Sequence, residues 1–298
     1  MLSAALGLGL VTACDRAPDV DVSQLTLATG PEGATYRESG AALAELWNDA
    51  LDGPVVRTLP TEASVDNIRL LLGEEVDLAY ANVDVLRPHG ADVVALLRIF
   101  DSVVHLVTLR DNGVRALSDL PGRRVAVGLP GSGTRYTAER LFQAAGVDVE
   151  TRDYGQQSAA QALLDDEVDA VMSLTAMPTP AISWLLANGP AIRFVDLGTE
   201  ANTLQRAHPG EYLSVTISNT VYPGVETTDT VAVPTLLAVR RGFPDDLARF
   251  LTGTTIEQAD SLARTRPEAL QIDSRTAAAT APVALHPGSA DWFRDAKP

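Results

Sequence analysis

The stretch Val125-Ala126-Val127-Gly128-Leu129-Pro130-Gly131-Ser132-Gly133-Thr134-Arg135-Tyr136 constrains the fold of this chain more than any other. A short β-branched run breaks at a Gly/Pro/Ser cluster, and an amphipathic run from Thr137 to Ala145 follows. That order reads as strand, tight loop and helix. Ser132 and Thr134 are both good N-cap types. Glycines let another group approach the backbone closely. The first N–H groups of a helix lack intrahelical partners, so such a loop suits an anion. The same order occurs earlier, with Leu25–Thr29, the loop Gly30–Thr35 and a helical stripe from Tyr36 to Leu51. Each unit leads through a second strand and helix to a Val-Asp strand, Val76-Asp77-Leu78 and Val168-Asp169-Ala170. Alternating strands and helices predict an α/β fold of two similar lobes, each a mainly parallel sheet flanked by helices.

The remaining segments fit around these units. Val55–Leu59 reads as a strand, and Ser64–Gly73 as a helix with Ser64 at its N-cap. Asp92–Leu109 and Val231–Val239 are long extended runs. Pairing of Val231–Val239 with Val103–Leu109 would carry the chain across twice between lobes. Residues 24–106 plus 235–298 are expected to form lobe 1, and 107–234 lobe 2. Pro244–Leu262 reads as helical, and the tail Ala284–Phe293 is expected to pack back on lobe 1.

Composition excludes several classes. The net charge of −16 disfavours a nucleic-acid partner. No apolar run reaches the ~20 residues of a membrane-spanning helix. Cys14 is the one cysteine, and Leu2–Val11 has the length and composition of a secretory h-region. Val11-Thr12-Ala13-Cys14 resembles a bacterial lipobox. Residues 1–14 are therefore read as a signal peptide with Cys14 lipidated, and 15–23 as a polar tether. The membrane would be met only through that lipid, and the protein would lie in the periplasm. His89, His105, His208 and His286 are far apart and lack metal-ligand spacing, so no metal and no cofactor is expected. His105 reads as a buried, hydrogen-bonded residue. The glycine loop lacks the third Gly of a dinucleotide fingerprint, where Tyr136 stands, and neither a P-loop nor Gly-x-Ser-x-Gly is present. A nucleotide- or phosphate-dependent enzyme is accordingly the weakest reading.

The chain resembles the TAXI-family solute-binding subunits of tripartite ATP-independent periplasmic (TRAP) transporters, from about Leu25 to Asp295. The segments that carry this are Leu27-Ala28-Thr29-Gly30 with Gly33-Ala34-Thr35-Tyr36, Asp77-Leu78-Ala79 with Asp84, Gly131-Ser132-Gly133-Thr134, Met177-Pro178-Thr179-Pro180, Tyr222-Pro223-Gly224 and His286-Pro287-Gly288-Ser289-Ala290. Two departures are Pro31-Glu32 in a loop usually rich in Gly or Thr, and Trp292 where Tyr is common. The resemblance implies a two-lobed, Venus-flytrap (type II) periplasmic-binding-protein fold with a ligand held between lobes. It implies a monomer that is not an enzyme and that delivers its ligand to a TRAP-type permease driven by an ion gradient. A sensory lipoprotein of the same fold is the alternative.

Ligands of open α/β sheets bind at the carboxyl ends of strands. Two such ends facing each other would form a cleft lined by helix N-termini, each carrying roughly half a positive charge. The ligand expected there is a small organic anion, an acidic amino acid such as glutamate or a dicarboxylate. Gly131, Ser132, Gly133 and Thr134 are the leading contacts, with Thr29 and Gly30 opposite. Tyr36 offers a hydroxyl, or packs in the core. Asp84 accepts from an amine or hydroxyl, or caps a helix. Arg135 and Arg37 are cationic candidates. Met177, Pro178 and Thr179 form a wall or a plain connection, and Glu32 is a second possible partner for an ammonium group.

Overall fold

The computed structural model describes residues 24–296. The signal peptide, Cys14 and the 15–23 tether lie outside these residues. In chain order the first half is β1 (Leu25–Ala28), α1 (Thr35–Ala50), β2 (Val56–Leu59), α2 (Ser64–Leu72), β3 (Leu78–Asn82) and the short α3 (Val83–Leu86). The long strand β4 (Val93–Leu109) leads to β5 (Arg124–Ala126), α4 (Gly133–Ala145), β6 (Glu150–Arg152), α5 (Gln156–Leu164), β7 (Ala170–Thr175), α6 (Pro180–Asn188) and β8 (Ile192–Phe194). Then come α7 (Gly198–Ala207), β9 (Leu213–Ile217), the long β10 (Thr228–Arg240), α8 (Asp245–Glu257), α9 (Ala259–Ala263) and α10 (Pro287–Asp295). Among the described residues, no helix is long and apolar enough to cross a membrane.

One sheet runs through the molecule in the order β2-β1-β3-β10-β4-β7-β5-β6, with β8 added to β4 and β9 to β10. Its two ends are parallel: β1 pairs with β2 and β3, and β5 with β6 and β7. The middle is antiparallel, because β4 and β10 run opposite to each other and to their outer neighbours. At about 3.3 Å per residue, the 17 residues of β4 are long enough to serve both halves. The strand Leu213–Ile217 escaped the sequence reading. Its pattern of half-buried and exposed residues, with Ser214 and Thr216 outward, leaves a weak apolar signal.

The expected pairing of Val231–Val239 with Val103–Leu109 is corrected. Ala232 lies opposite Val103, and the ladder then runs back to Arg240 opposite Val93. Val103–Val107 pairs instead with β7, and Val107–Leu109 with β8. An antiparallel register fixes the sum of partner positions, so the C-terminal part of β10 must meet the N-terminal part of β4. Both strands change outer partners here, β4 taking up β7 at Val103 and β10 taking up β3 at Thr235. Register shifts after Thr235 and after Leu237 bend the ladder in this region.

Both faces of each half are covered. One continuous core joins the halves, from Ile68 and Leu71 of α2 through Leu106 and Met172 to Leu141 of α4. A second packs α1, α8 and α10 on the first half, around Trp47, Tyr80, Phe100 and Trp292. A third packs α5 and α6 on the second half, around Leu163, Leu185 and Phe194. The tail thus packs on the first lobe as expected. It does so because glycine brings backbones together: a Cβ on Gly288 would lie 2.0 Å from the Asp245 carbonyl oxygen. Gly288→Ala is expected to lower unfolding free energy by about 1–3 kcal/mol, the usual cost of overpacking, in urea titrations. An unchanged midpoint would show that the α8–α10 contact yields without cost.

Candidate functional site

The carboxyl ends of β3 and β7 open on a cavity of about 840 Å³ lying between the two halves. From the first half it is lined by the Pro31–Tyr36 loop and helix start, by Glu62–Ser64 and by Asn82. From the second it is lined by Gly128, Leu129, Ser132–Thr134, Tyr154–Ala159, Gln161, the β7 residues Met172, Leu174 and Thr175, and Pro180–Ala181. The first turns of α1, α2, α4, α5 and α6 therefore all face one space. Among the described lining residues there is no Arg, Lys or His, and the carboxylates are Glu32 and Glu62.

The second glycine loop is built as the sequence predicts. Ser132 is the N-cap of α4, and its Oγ accepts the Arg135 N–H at 3.2 Å. Thr134 Oγ1 accepts the Leu174 N–H at 3.2 Å, fixing the loop on the end of β7. Gly133 lies against the other half, where a Cβ would come within 2.5 Å of Asn82 Oδ1 and 2.9 Å of Ser64 Oγ. Gly131 has a different role from the one expected. Its N–H donates to Glu62 Oε2 at 2.9 Å, and its carbonyl accepts the Val65 and Asp66 N–H groups at 3.0 and 3.2 Å. The loop thereby caps α2, so Gly131 is absent from the cavity lining. Ser64, expected as that helix's N-cap, is its first residue instead, following Ala63. Its hydroxyl is left for the cavity floor.

That floor is a polar network centred on a strand hydroxyl. Thr235 Oγ1 bonds Ser102 Oγ at 2.8 Å, Tyr36 OH at 3.3 Å and Asn82 Nδ2 at 3.2 Å. Ser64 Oγ donates to Asn82 Oδ1 at 3.1 Å. Tyr36 lines the cavity and also packs 5.2 Å from the Tyr80 ring. Burial pushes its phenol up to about 12, so the hydroxyl is neutral near pH 7. Across the cleft Thr35 Oγ1 bonds Thr175 Oγ1 at 2.9 Å, a direct link between halves.

Several expected contacts are placed elsewhere. Thr29 is buried, its Oγ1 donating to the Leu59 carbonyl at 2.9 Å. Gly30 lies under the α1 start, 3.2 Å from Tyr36 Cβ for an added methyl. Neither lines the cavity, because the chain rises into it only from Pro31. Arg135 is turned outward by Glu139 at 3.0 Å and by Asp153. Arg37 donates to Thr58 Oγ1 at 3.2 Å. Met177, Pro178 and Thr179 stop short of the cavity. Thr179 is the N-cap residue of α6, its N–H held by Tyr222 OH at 2.7 Å, and the next residues, Pro180 and Ala181, do the lining. Tyr222 OH is in turn 3.1 Å from His105 Nε2, and His105 Nδ1 lies 2.9 Å from the Val103 carbonyl. Burial lowers His105 to about 4, as befits the buried, hydrogen-bonded histidine expected. The sequence reading missed Tyr154–Ser158 and Glu62–Ser64, which are polar or small residues at helix starts. The Gly155 before α5 was the available signal.

Asn82 rather than Asp84 is the N-cap residue of α3, and Asp84 does not line the cavity. It is buried outside the lining, where Thr137 Oγ1 and Tyr212 OH donate to Oδ2 at 2.8 and 3.0 Å and the Val85 N–H to Oδ1 at 2.9 Å. Beside it Glu211, fully buried, is gripped by Arg87 and Arg140. Asp84 and Arg87 come from the first half, and Thr137, Arg140, Glu211 and Tyr212 from the second. Polar bonds therefore join the halves on this flank as well as across the cleft.

The amino-acid sequence matches the model of the NMT1-like family over residues 27–296. The chain belongs to the NMT1-like family. Its fold is that of two-lobed periplasmic binding proteins. It is similar to the periplasmic aliphatic sulphonate binding protein SsuA from Escherichia coli, with TM-score 0.53 and 17% identity, over 93% of this chain and 84% of that one. It is similar to a putative L-cystine ABC transporter protein from Listeria monocytogenes, with TM-score 0.55 and 13% identity, over 82% and 95% of the two chains. A cysteine-binding protein from Campylobacter jejuni matches with TM-score 0.55 and 13% identity, over 84% and 90%.

Asp84 makes stability depend on pH. Burial pushes its carboxyl up to about 6 from an ordinary value of 3.8. The folded state then holds a proton that the unfolded state has lost between those values. This contribution is fully present below the unfolded value and disappears as pH rises through about 6. Asp84→Asn is expected to remove it. The unfolding free energy of the native protein relative to Asp84→Asn should rise by at least about 1 kcal/mol between pH 7.5 and pH 4.5. A constant difference would contradict the assignment.

Proposed function

We propose that this NMT1-like protein is an extracytoplasmic solute-binding protein that closes two lobes on an organic anion. The observation that carries this reading is the cavity between the two halves, with first helical turns from both facing it. Oriented N–H groups and hydroxyls there suit an acid group and need no side-chain cation. Lobe 1 comprises residues 24–106 and 235–298, lobe 2 residues 107–234, and β4 and β10 form the hinge. Ligand first meets one lobe, and rotation about the hinge brings Gly133 against Asn82 and Thr35 against Thr175. Ser132, Gly133, Thr134 and Tyr36 contact the ligand.

The closed form then docks on a membrane permease. The resemblance to TAXI-family subunits supports a TRAP-type permease driven by an ion gradient. Delivery to such a permease implies a periplasmic protein, a reading that the likeness to the periplasmic sulphonate binding protein SsuA supports, and lipidation of Cys14 would tether it to the membrane. The chemistry of capture is binding alone, with no covalent step.

Gly133→Ala tests closure. The added methyl would meet Asn82 Oδ1 at 2.5 Å and Ser64 Oγ at 2.9 Å, wedging the lobes apart. A thermal-shift screen of organic acids should yield stabilising ligands for the native protein. Affinity for any such ligand should fall at least tenfold in Gly133→Ala, with the melting temperature of the free protein shifted by only a few degrees. Ser132→Ala and Thr134→Ala should each weaken the same ligand. Stabilisation by a nucleotide and by no organic acid would refute the reading.

A further inference from the structure

Resting on the binding-protein reading above, the size and lining of the cavity narrow the ligand class. The cavity measures about 840 Å³, and at about 30 Å³ per water it has room for on the order of 28 water molecules. A glutamate or a four-carbon dicarboxylate, with about ten non-hydrogen atoms or fewer, would fill roughly a third of it on the same scale. Sites of this volume normally bury most of a drug-sized ligand.

Around the starts of α1, α2 and α4 the lining is polar, with Ser132, Thr134, Thr35, Ser64 and Asn82. The Ser132 and Ser64 hydroxyls already donate to the Leu129 carbonyl and to Asn82 Oδ1, which leaves backbone N–H groups to meet an acid. The Gly133 and Thr134 N–H groups at the start of α4 make no bond of their own among the described residues. Leu129, Met172, Leu174, Ala159, Pro180 and Ala181 add apolar surface to the lining, alongside the polar Gln156, Gln157, Ser158 and Gln161. Charge is as informative as size. Among the described residues, the lining offers no cation, and Glu32 and Glu62 contribute negative charge. Glu62 is fixed in place by the Gly131 N–H. A single acid group can be met by neutral donors and helix dipoles. A second carboxylate on the same ligand would face like charge without a cationic partner, which disfavours its ionised form.

We infer that the cleft takes an organic monoanion with one carboxylate or sulfonate group and an apolar body of more than about ten non-hydrogen atoms. The acid group sits at the α4 start and the body lies along Leu129, Met172 and Leu174. This places the ligand outside the acidic amino acids and dicarboxylates expected from the sequence.

Isothermal titration of the full chain tests this with five probes: 6-phenylhexanoate, naphthalene-2-sulfonate, 6-phenylhexanamide, succinate and L-glutamate. At least one of the two apolar monoanions is expected to bind tenfold or more tightly than succinate and glutamate. The neutral amide should bind at least tenfold more weakly than its parent acid. Leu129→Asp, which places a third carboxylate on a half-buried lining position, should weaken the monoanion at least tenfold while circular-dichroism melting stays close to native. Tightest binding by succinate or glutamate overturns the ligand class and leaves the binding-protein reading standing. An amide as tight as its acid overturns the anionic part. No binding by any probe overturns both.

Discussion

The antiparallel pair β4–β10 is the constraint on which the rest of this molecule depends. Its two long strands form the middle of the sheet, and each half is built outward from them. Where they change partners, near Val103 and Thr235, the sheet passes from one half to the other. Two backbone crossings, with register shifts in the β10 ladder beside them, link the halves. The polar floor of the cavity sits on these crossings. Thr235 and Ser102 belong to the hinge strands, and they hold Tyr36 and Asn82. A change in the angle between halves therefore bears directly on ligand-facing groups.

The cleft is closed by backbone as much as by side chains. The Gly131 carbonyl caps α2, the Gly131 N–H meets Glu62, and Gly133 lies where any side chain would strike Asn82 and Ser64. One glycine loop thus acts as a contact surface between halves while its neighbours Ser132 and Thr134 face the cavity. On another flank the buried Asp84 and Glu211 bind groups from both halves. A buried ion pair of this kind adds little net stability, but removing one partner is costly because it leaves the other charge uncompensated.

Much of this was legible in the sequence. The strand–glycine-loop–helix units and the Val-Asp strands follow from periodicity and punctuation, which are local. The N-cap role of Ser132 is local too. The pairing of β4 with β10 was misread because an apolar run of 17 residues carries no mark of which part meets which partner. At the cleft, residue types pointed to loops that line the cavity, and several of the named positions lie beside the lining. Thr29, Gly30, Gly131, Arg135 and Met177–Thr179 each sit within a few residues of the lining, and each is claimed by a structural partner. Most of those partners (Leu59, Glu62, Asp153 and Tyr222) are remote in sequence, so no local pattern reveals the competition.

The central claim is that an organic anion is captured between two lobes that must close on it. Native mass spectrometry of the protein isolated from cells, followed by identification of any released molecule, addresses it most directly. The account predicts a bound acid that is present on the native protein and lost from Gly133→Ala. A bound mass retained in full by Gly133→Ala, or a released molecule that is a cation, would contradict it.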